Sequence, residues 1–436
     1  MWNVLKTEFL PRVGVAYRLN DKTALRAAYA RWAHPWVQQG RGITGSLMDA
    51  VYPGFNQDQA PAPMLQGVPQ VTLSNPFPAG APLIPAPGQS NGADYGLGSS
   101  QEYYYQNRPK DTTDRINFGM ERQLPFGLVG KATYFVNFTH DLAYTSYPNM
   151  MDPSLSYKYQ AALNTQVSNP FYLYGTPTTF PGPLRYQQTV ALSQLMVPYP
   201  QYGSLSVDYT PGLSVHYQSI QFDAQRPFRN GLSLFVAYNY HVEKDQYFYD
   251  DIAQYEKKWS WQTDYRPRHR ISEAANWELP VGKGKPFLSN ISRGLDLVVG
   301  GWNVGTLATW NSGAFVGFGS MLQVSDPTKN IPSGAYFNPA AFQILPAYTH
   351  RTNQNYYSGI TGPGYFNLDG SLNKAFTIAE RYKLRLEMNA FNALNHFATT
   401  GPVTDISNLT QFGYSPGTEV ANTFGRRLEM GLRFLF

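Results

Sequence analysis

Cysteine is absent from the 436 residues, so the chain has no disulfide framework and no thiolate metal site. Charged side chains are scarce, at 14%, and the basic ones are scattered. With a formal charge of only +5 and no Lys/Arg cluster or basic helix, nucleic-acid binding is not expected. No run of about 18 apolar residues occurs, which excludes a helical membrane span. The first residues, Met1 to Lys6, hold no apolar segment followed by a small-residue cleavage site, so no export signal is visible there. His34, His140, His216, His241, His269, His350 and His396 show no ligand spacing of the His-x-x-x-His kind. Gly96-Leu97-Gly98 lacks the flanking strand and helix of a phosphate loop, and Gly-x-Ser-x-Gly is missing. No cofactor, metal site or catalytic constellation is expected, and the chain does not read as an enzyme.

What is abundant is strand-forming and turn-forming material. Aromatics make up 15%, including 32 Tyr, beside 38 Gly and 33 Pro. Such a composition favours one repetitive β architecture over several helical domains. Two-residue alternation then marks successive hairpins. Phe9 to Leu19 returns after Asn20-Asp21 as Lys22 to Trp32, and Asp114 to Leu124 returns after Pro125-Phe126-Gly127 as Leu128 to Thr139. Leu213 to Gln225 pairs with Leu232 to Glu243 across Arg229-Asn230-Gly231. Pro267 to Leu279 pairs with Leu295 to Trp310 through a connection at Gly282 to Lys285, and Tyr365 to Ile378 with Tyr382 to Ala393 through Ala379-Glu380-Arg381.

The chain closes on Arg427 to Phe436, where Leu428, Met430, Leu432, Phe434 and Phe436 share one parity and Arg427, Glu429, Gly431 and Arg433 the other. In all, about eleven strands are expected. Short and long connections alternate strictly, and the long ones are taken as structureless loops too large and too many for a soluble sandwich. Transmembrane barrels have that asymmetry, with short periplasmic turns and long outer loops. The fold class is therefore all-β, an antiparallel transmembrane β-barrel in contact with outer-membrane lipid. Barrels of this kind have even strand numbers with both ends in the periplasm, so an odd count that starts outside leads to the expectation that strands precede Met1.

Glu429-x-Gly431-x-x-Phe434-x-Phe436 resembles the C-terminal signal that the barrel assembly machinery reads on bacterial outer-membrane proteins. Further phrases in order along the chain are Phe9-Leu10-Pro11-Arg12-Val13-Gly14-Val15-Ala16-Tyr17, Asn169-Pro170-Phe171, Pro198-Tyr199-Pro200-Gln201-Tyr202-Gly203, Arg268-His269-Arg270 and Trp277-Glu278-Leu279-Pro280-Val281-Gly282-Lys283-Gly284. Gly301-Trp302, Phe391-Asn392-Ala393-Leu394-Asn395-His396 and Phe424-Gly425-Arg426 complete the series. Together they resemble the barrel of TonB-dependent receptors, in particular the Oar-like group with carboxypeptidase-regulatory-like N-terminal domains. The resemblance implies a 22-stranded barrel holding a plug. Residues 1–436 would be its C-terminal half, a fragment without plug, regulatory-like domain or TonB-contacting segment, so contact with the TonB complex would run only through those missing N-terminal parts.

The function so implied is uptake of a scarce nutrient, an oligosaccharide or a metal chelate, with the substrate itself unidentified. A structural or adhesive outer-membrane barrel without energised transport is the second reading. A secreted soluble β-protein is the third; it requires the apolar faces to bury against each other. Arg268-His269-Arg270 belongs at the outer rim, either on lipid phosphates or an anionic substrate, or paired with acidic neighbours across the wall. Asp250, Asp251 and Glu256 read as a solvated loop face. Tyr17, Trp32, Tyr134, Tyr240 and Trp310 suit aromatic girdles, and Tyr103, Tyr104, Tyr105, Tyr247, Phe248 and Tyr249 either grip a ligand or pack loop on loop.

Overall fold

The structure, a computed structural model, describes residues 8–34, 64–65, 68–69, 72, 74, 96–107, 109–248, 259–378, 382–420 and 425–436. Asp250, Asp251, Glu256, Lys257, Lys258, Tyr249, Phe424 and the turn Ala379-Glu380-Arg381 lie outside them. Two compact units divide the chain: Met1–Glu8, His34–Asp111 and Asp141–Gly212 in one, and Phe9–Ala33, Thr112–His140 and Leu213–Phe436 in the other.

The larger unit is built on an antiparallel meander. Its strands are β1 (Arg12–Asn20), β2 (Thr23–Ala33), β3 (Thr112–Gln123), β4 (Val129–Ser146), β5 (Leu205–Arg229), β6 (Leu232–Phe248), β7 (His269–Glu278), β8 (Trp302–Asn311), β9 (Tyr365–Ile378), β10 (Tyr382–Phe391) and β11 (Arg427–Leu435). They lie side by side in chain order, with β1 and β11 at the two ends of the path. Eleven strands on one path match the number expected from alternation. Trp259–Thr263 adds a short arm to the far end of β6.

Register carries one parity from strand to strand. Val15 faces Ala27, Ala27 faces Phe118 and Phe118 faces Tyr134. In the second half, Phe222 faces Tyr238, which faces Ile271, which faces Trp310, which faces Phe366. At the end, Leu372 faces Met388 and Met388 faces Met430. Val13, Val15, Tyr17, Ile116, Phe118, Phe222, Leu428, Met430 and Leu432 on this apolar parity are all exposed. Among the described residues no second sheet covers them, contrary to the soluble reading, in which this face is a core. Tyr17, Tyr134, Tyr240 and Trp310 belong to the apolar face, whereas Trp32 pairs with Thr113 on the polar face, beneath the Arg12 guanidinium at 4.2 Å.

Short connections gather at one end, at residues 21–22, 124–128 and 230–231, and the larger unit's β8–β9 connection, residues 312–364, leaves the strands at the other. Asn230 (φ 52°) and Gly231 (φ 78°) form the tight turn that matches strand twist. Gly231 also lies so close to β7 that a Cβ there would be 3.2 Å from the Glu278 carbonyl oxygen. One connection breaks the strict alternation. Residues 279–301 join β7 to β8 through helix Arg293–Val299, so the strand expected from Leu295 begins only at Trp302. Ser292 caps this helix by accepting from the Leu295 amide at 3.4 Å, and Gly301 (φ 71°) turns the backbone into β8.

The long loops are not structureless. Within the larger unit, Val316, Phe318, Met321, Phe337, Ala341, Phe342, Tyr357, Ile360 and Phe412 form a buried cluster joining the β8–β9 and β10–β11 loops. Phe318 meets Phe337, Phe342 and Tyr357 with ring centroids 4.9, 5.1 and 5.3 Å away. The smaller unit, taken alone, contains helix Pro153–Tyr159 and a core of Phe180, Leu184 and Val190 with Leu97, Val167, Phe171 and Leu195 packed against it.

Candidate functional site

The closing strand presents its signal residues on two faces. Phe434 and Phe436 are exposed on the apolar side, where Phe434 stacks on Tyr382 at 5.8 Å and on Phe436 at 6.2 Å. Glu429 lies on the polar side, 3.2 Å from the Arg427 guanidinium and opposite Asn389. Gly431 sits opposite Glu387, and a Cβ there would meet nothing nearer than 3.8 Å. Packing within the sheet therefore does not demand glycine at 431.

Charges and amides populate the polar face of β7 to β11. Arg385 and Glu387 pair at 3.0 Å, with Asn389, Arg433, Asn303, Asn373 and Asn276 around them on the same parity. Such a face tolerates water and hydrogen-bonding solutes.

At the far end of β6 the structure assembles a group that sequence spacing does not show. Glu243, Asp245 and Asp264 bring carboxylate oxygens within 4.8 Å of one another. The first two are alternate residues of one strand; Asp264 arrives from beyond residues 249–258, so no spacing rule finds it. Arg266 supplies the counter-charge, 3.5 Å from Glu243 and 3.7 Å from Asp264. Asp264 and then Glu243 push the Arg266 guanidinium above its usual value. The arrangement is an ion-paired group rather than an open cation site.

Arg268-His269-Arg270 does not act as one unit. Arg268 lies over the Phe315 ring at 4.5 Å, His269 turns to the apolar face with Nδ1 2.8 Å from the Tyr238 hydroxyl, and Arg270 stands on the polar face opposite Asn239 and Asn311. The acidic contacts expected for this triplet go to Arg266 instead.

The other recurring phrases work as loop fasteners. Asn169 donates to the Leu184 and Gln187 carbonyls, each at 2.7 Å, and accepts from the Phe171 amide at 2.9 Å. Asn149 clasps the Pro198 to Gly203 phrase by donating to the Tyr199 and Gly203 carbonyls and accepting from the Tyr199 amide. Asn392 (φ 47°) accepts from the His396 amide, and Asn395 accepts from that of Arg426. Asparagine suits these points because it enters the left-handed region and carries both donor and acceptor. Tyr103 and Tyr105 remain exposed, Tyr103 on a strand segment, Gln101–Tyr104, that pairs in parallel with residues 205–208.

No curated protein sequence matches the chain. Among solved structures it is similar to the ferripyoverdine receptor of the outer membrane of Pseudomonas aeruginosa, at 11% identity and a TM-score of 0.40, over 98% of this chain and 33% of that one. It is also similar to the outer membrane transporter YddB from Escherichia coli (9%, TM-score 0.39, 95% and 39%) and to the FrpB iron transporter from Neisseria meningitidis (8%, TM-score 0.39, 98% and 39%). The chain thus spans between a third and two fifths of the length of these structures. A family model described as outer membrane beta barrel domain matches residues 1–429, in agreement with a sheet that leaves Val13, Phe118, Phe222 and Met430 of its apolar parity exposed. The chain belongs to the outer membrane β-barrel domain family.

Proposed function

We propose that the chain is part of the wall of a TonB-dependent receptor that takes up a scarce nutrient, an oligosaccharide or a metal chelate. The observation that carries this reading is the polar face: a run of Arg, Glu and Asn side chains that buries nothing of its own and stands ready to line a solute path. The ordered phrases from Phe9 to Arg426 support the same family. The buried core shared by the β8–β9 and β10–β11 loops supports it too, because it holds side chains in place beyond those strands. Coupling to the TonB complex belongs, in this proposal, to a plug and contacting segment outside residues 1–436. Glu429, Gly431, Phe434 and Phe436 are proposed as the segment handled by the barrel assembly machinery, with Phe434 and Phe436 facing lipid.

Uptake of a panel of ferric chelates and oligosaccharides into cells with and without this coding sequence tests the proposal. Loss of uptake of one class on deletion, and its abolition by a protonophore in intact cells, is expected. Unchanged uptake across the panel together with reduced adhesion to surfaces would favour the structural or adhesive barrel.

A further inference from the structure

The connection between β7 and β8 carries large apolar side chains that the larger unit does not cover. Phe287, Leu288, Leu295, Leu297 and Val298 are all exposed, although the residues around them are ordered by hydrogen bonds. Asp296 holds the segment together by accepting from the Lys283 amide at 2.7 Å, and a Cβ at Gly282 or Gly300 would collide with its carboxylate.

Where this helix lies is set by Lys374. Lys374 is on the apolar parity of β9, facing Trp302 and lying between Leu372 and Phe376. A lysine on a lipid-facing wall would be costly if left bare. Instead it is buried, with Nζ donating to the Val298 carbonyl at 3.1 Å and sitting 5.1 Å from both the Trp302 and Phe376 rings. The Trp302 indole N–H donates to the same carbonyl at 2.8 Å. The last turn of a helix has carbonyls without intrahelical partners and a negative dipole end, so an ammonium is a fitting cap. Because both donors belong to the apolar parity, the helix is latched onto the lipid side of the wall, at its short-turn edge.

We infer that residues 287–298 form an interfacial anchor that lies in the headgroup region of the periplasmic leaflet and binds phospholipid. Its apolar side chains continue the hydrocarbon-facing surface of β8 and β9, and exposed Lys283 and Arg293 are placed to meet lipid phosphates. Trp302 at the edge suits the same depth. The inference rests on membership of the outer-membrane barrel family and is independent of nutrient uptake.

The chain has no cysteine, so single-cysteine variants of the full chain can carry an environment-sensitive fluorophore. The probes are Leu295→Cys in the helix, Leu432→Cys on the apolar face and Asn276→Cys on the polar face, in vesicles of phosphatidylethanolamine and phosphatidylglycerol. Nitroxide-labelled phospholipid is expected to quench the label at 295 to at least about half the extent seen at 432, while aqueous iodide reaches mainly 276. Lys374→Met should lower lipid quenching at 295 by about twofold and leave 432 unchanged, since only the latch is lost. A label at 295 that answers to iodide as 276 does overturns the anchor, and no response to Lys374→Met overturns the latch. If the label at 432 is also reached only by iodide, the wall is not in lipid and the proposal falls with it.

Discussion

Met430 in the wall and Met321 in the loop cluster are the same side chain in opposite circumstances: 77% exposed in one place and 2% in the other. Phe434 and Phe337 repeat the contrast, at 52% and 0%. The loop cluster obeys the usual rule of burial away from water, and its stability comes from its own packing. The wall has no such core. Backbone ladders hold its strands, and its apolar parity is stable only where the surroundings are hydrocarbon. One chain therefore contains two kinds of hydrophobic surface, and each should fail under a different insult.

Removing bulk should hurt the loops most. Phe337→Ala is expected to destabilise the loop cluster by about 3–5 kcal/mol, because the ring is closed in on every side. Limited proteolysis within residues 312–364 would reveal it, with the sheet intact. Adding charge should hurt the wall most. Met430→Arg is expected to cost about 2–4 kcal/mol in unfolding from vesicles, whereas Glu429→Gln, one residue away on the polar face, should cost far less. Equal costs at 429 and 430 would erase the distinction between the faces.

Smaller effects sharpen the comparison. Asn169→Ala removes the side-chain donor to the Leu184 and Gln187 carbonyls and should cost the smaller unit about 1–3 kcal/mol, read as faster amide exchange around residues 166–191. Glu273 is a charged residue on the apolar face, opposite Val236 and Ala308 and held by the Thr306 hydroxyl at 2.8 Å. Glu273→Leu should stabilise the wall by about 1 kcal/mol in lipid, with no gain in the loop cluster. Acid should act on the loops. Thr328, through its hydroxyl and then its amide, holds the Asp326 carboxyl below the usual range, and Ser407 does the same for Asp405. A depressed carboxyl contributes stability above its ordinary pKa and loses it as pH falls through the lowered one. As pH falls below about 4, loop fluorescence should change before strand circular dichroism does.

Much of the wall was legible because its physics is a two-residue rhythm. Leu232 to Val242, Tyr382 to Met388 and Leu428 to Phe436 display their faces in the letters alone, and the Asn230-Gly231 turn follows from backbone preference. The β7–β8 connection was misjudged because Leu295, Leu297 and Val299 also alternate; only Ser292 as a cap and Gly301 as a stop mark the helix. The loop cluster was invisible because its members come from two loops separated by β9 and β10, although Phe315-Val316-Gly317-Phe318 is too apolar for a solvated excursion. The carboxylate group escaped for a like reason, since Asp264 joins Glu243 by strand pairing rather than by spacing. The triplet at Arg268 looks like a single charged feature in the sequence, yet alternation alone sends its middle residue to the other side.

Strand order in the sheet equals strand order in the chain. Each strand of the eleven-strand path therefore docks on the one made just before it. Growth can proceed one hairpin at a time, like tiles laid from a border, and the aromatic pair at the terminus occupies a border tile where a template could first take hold.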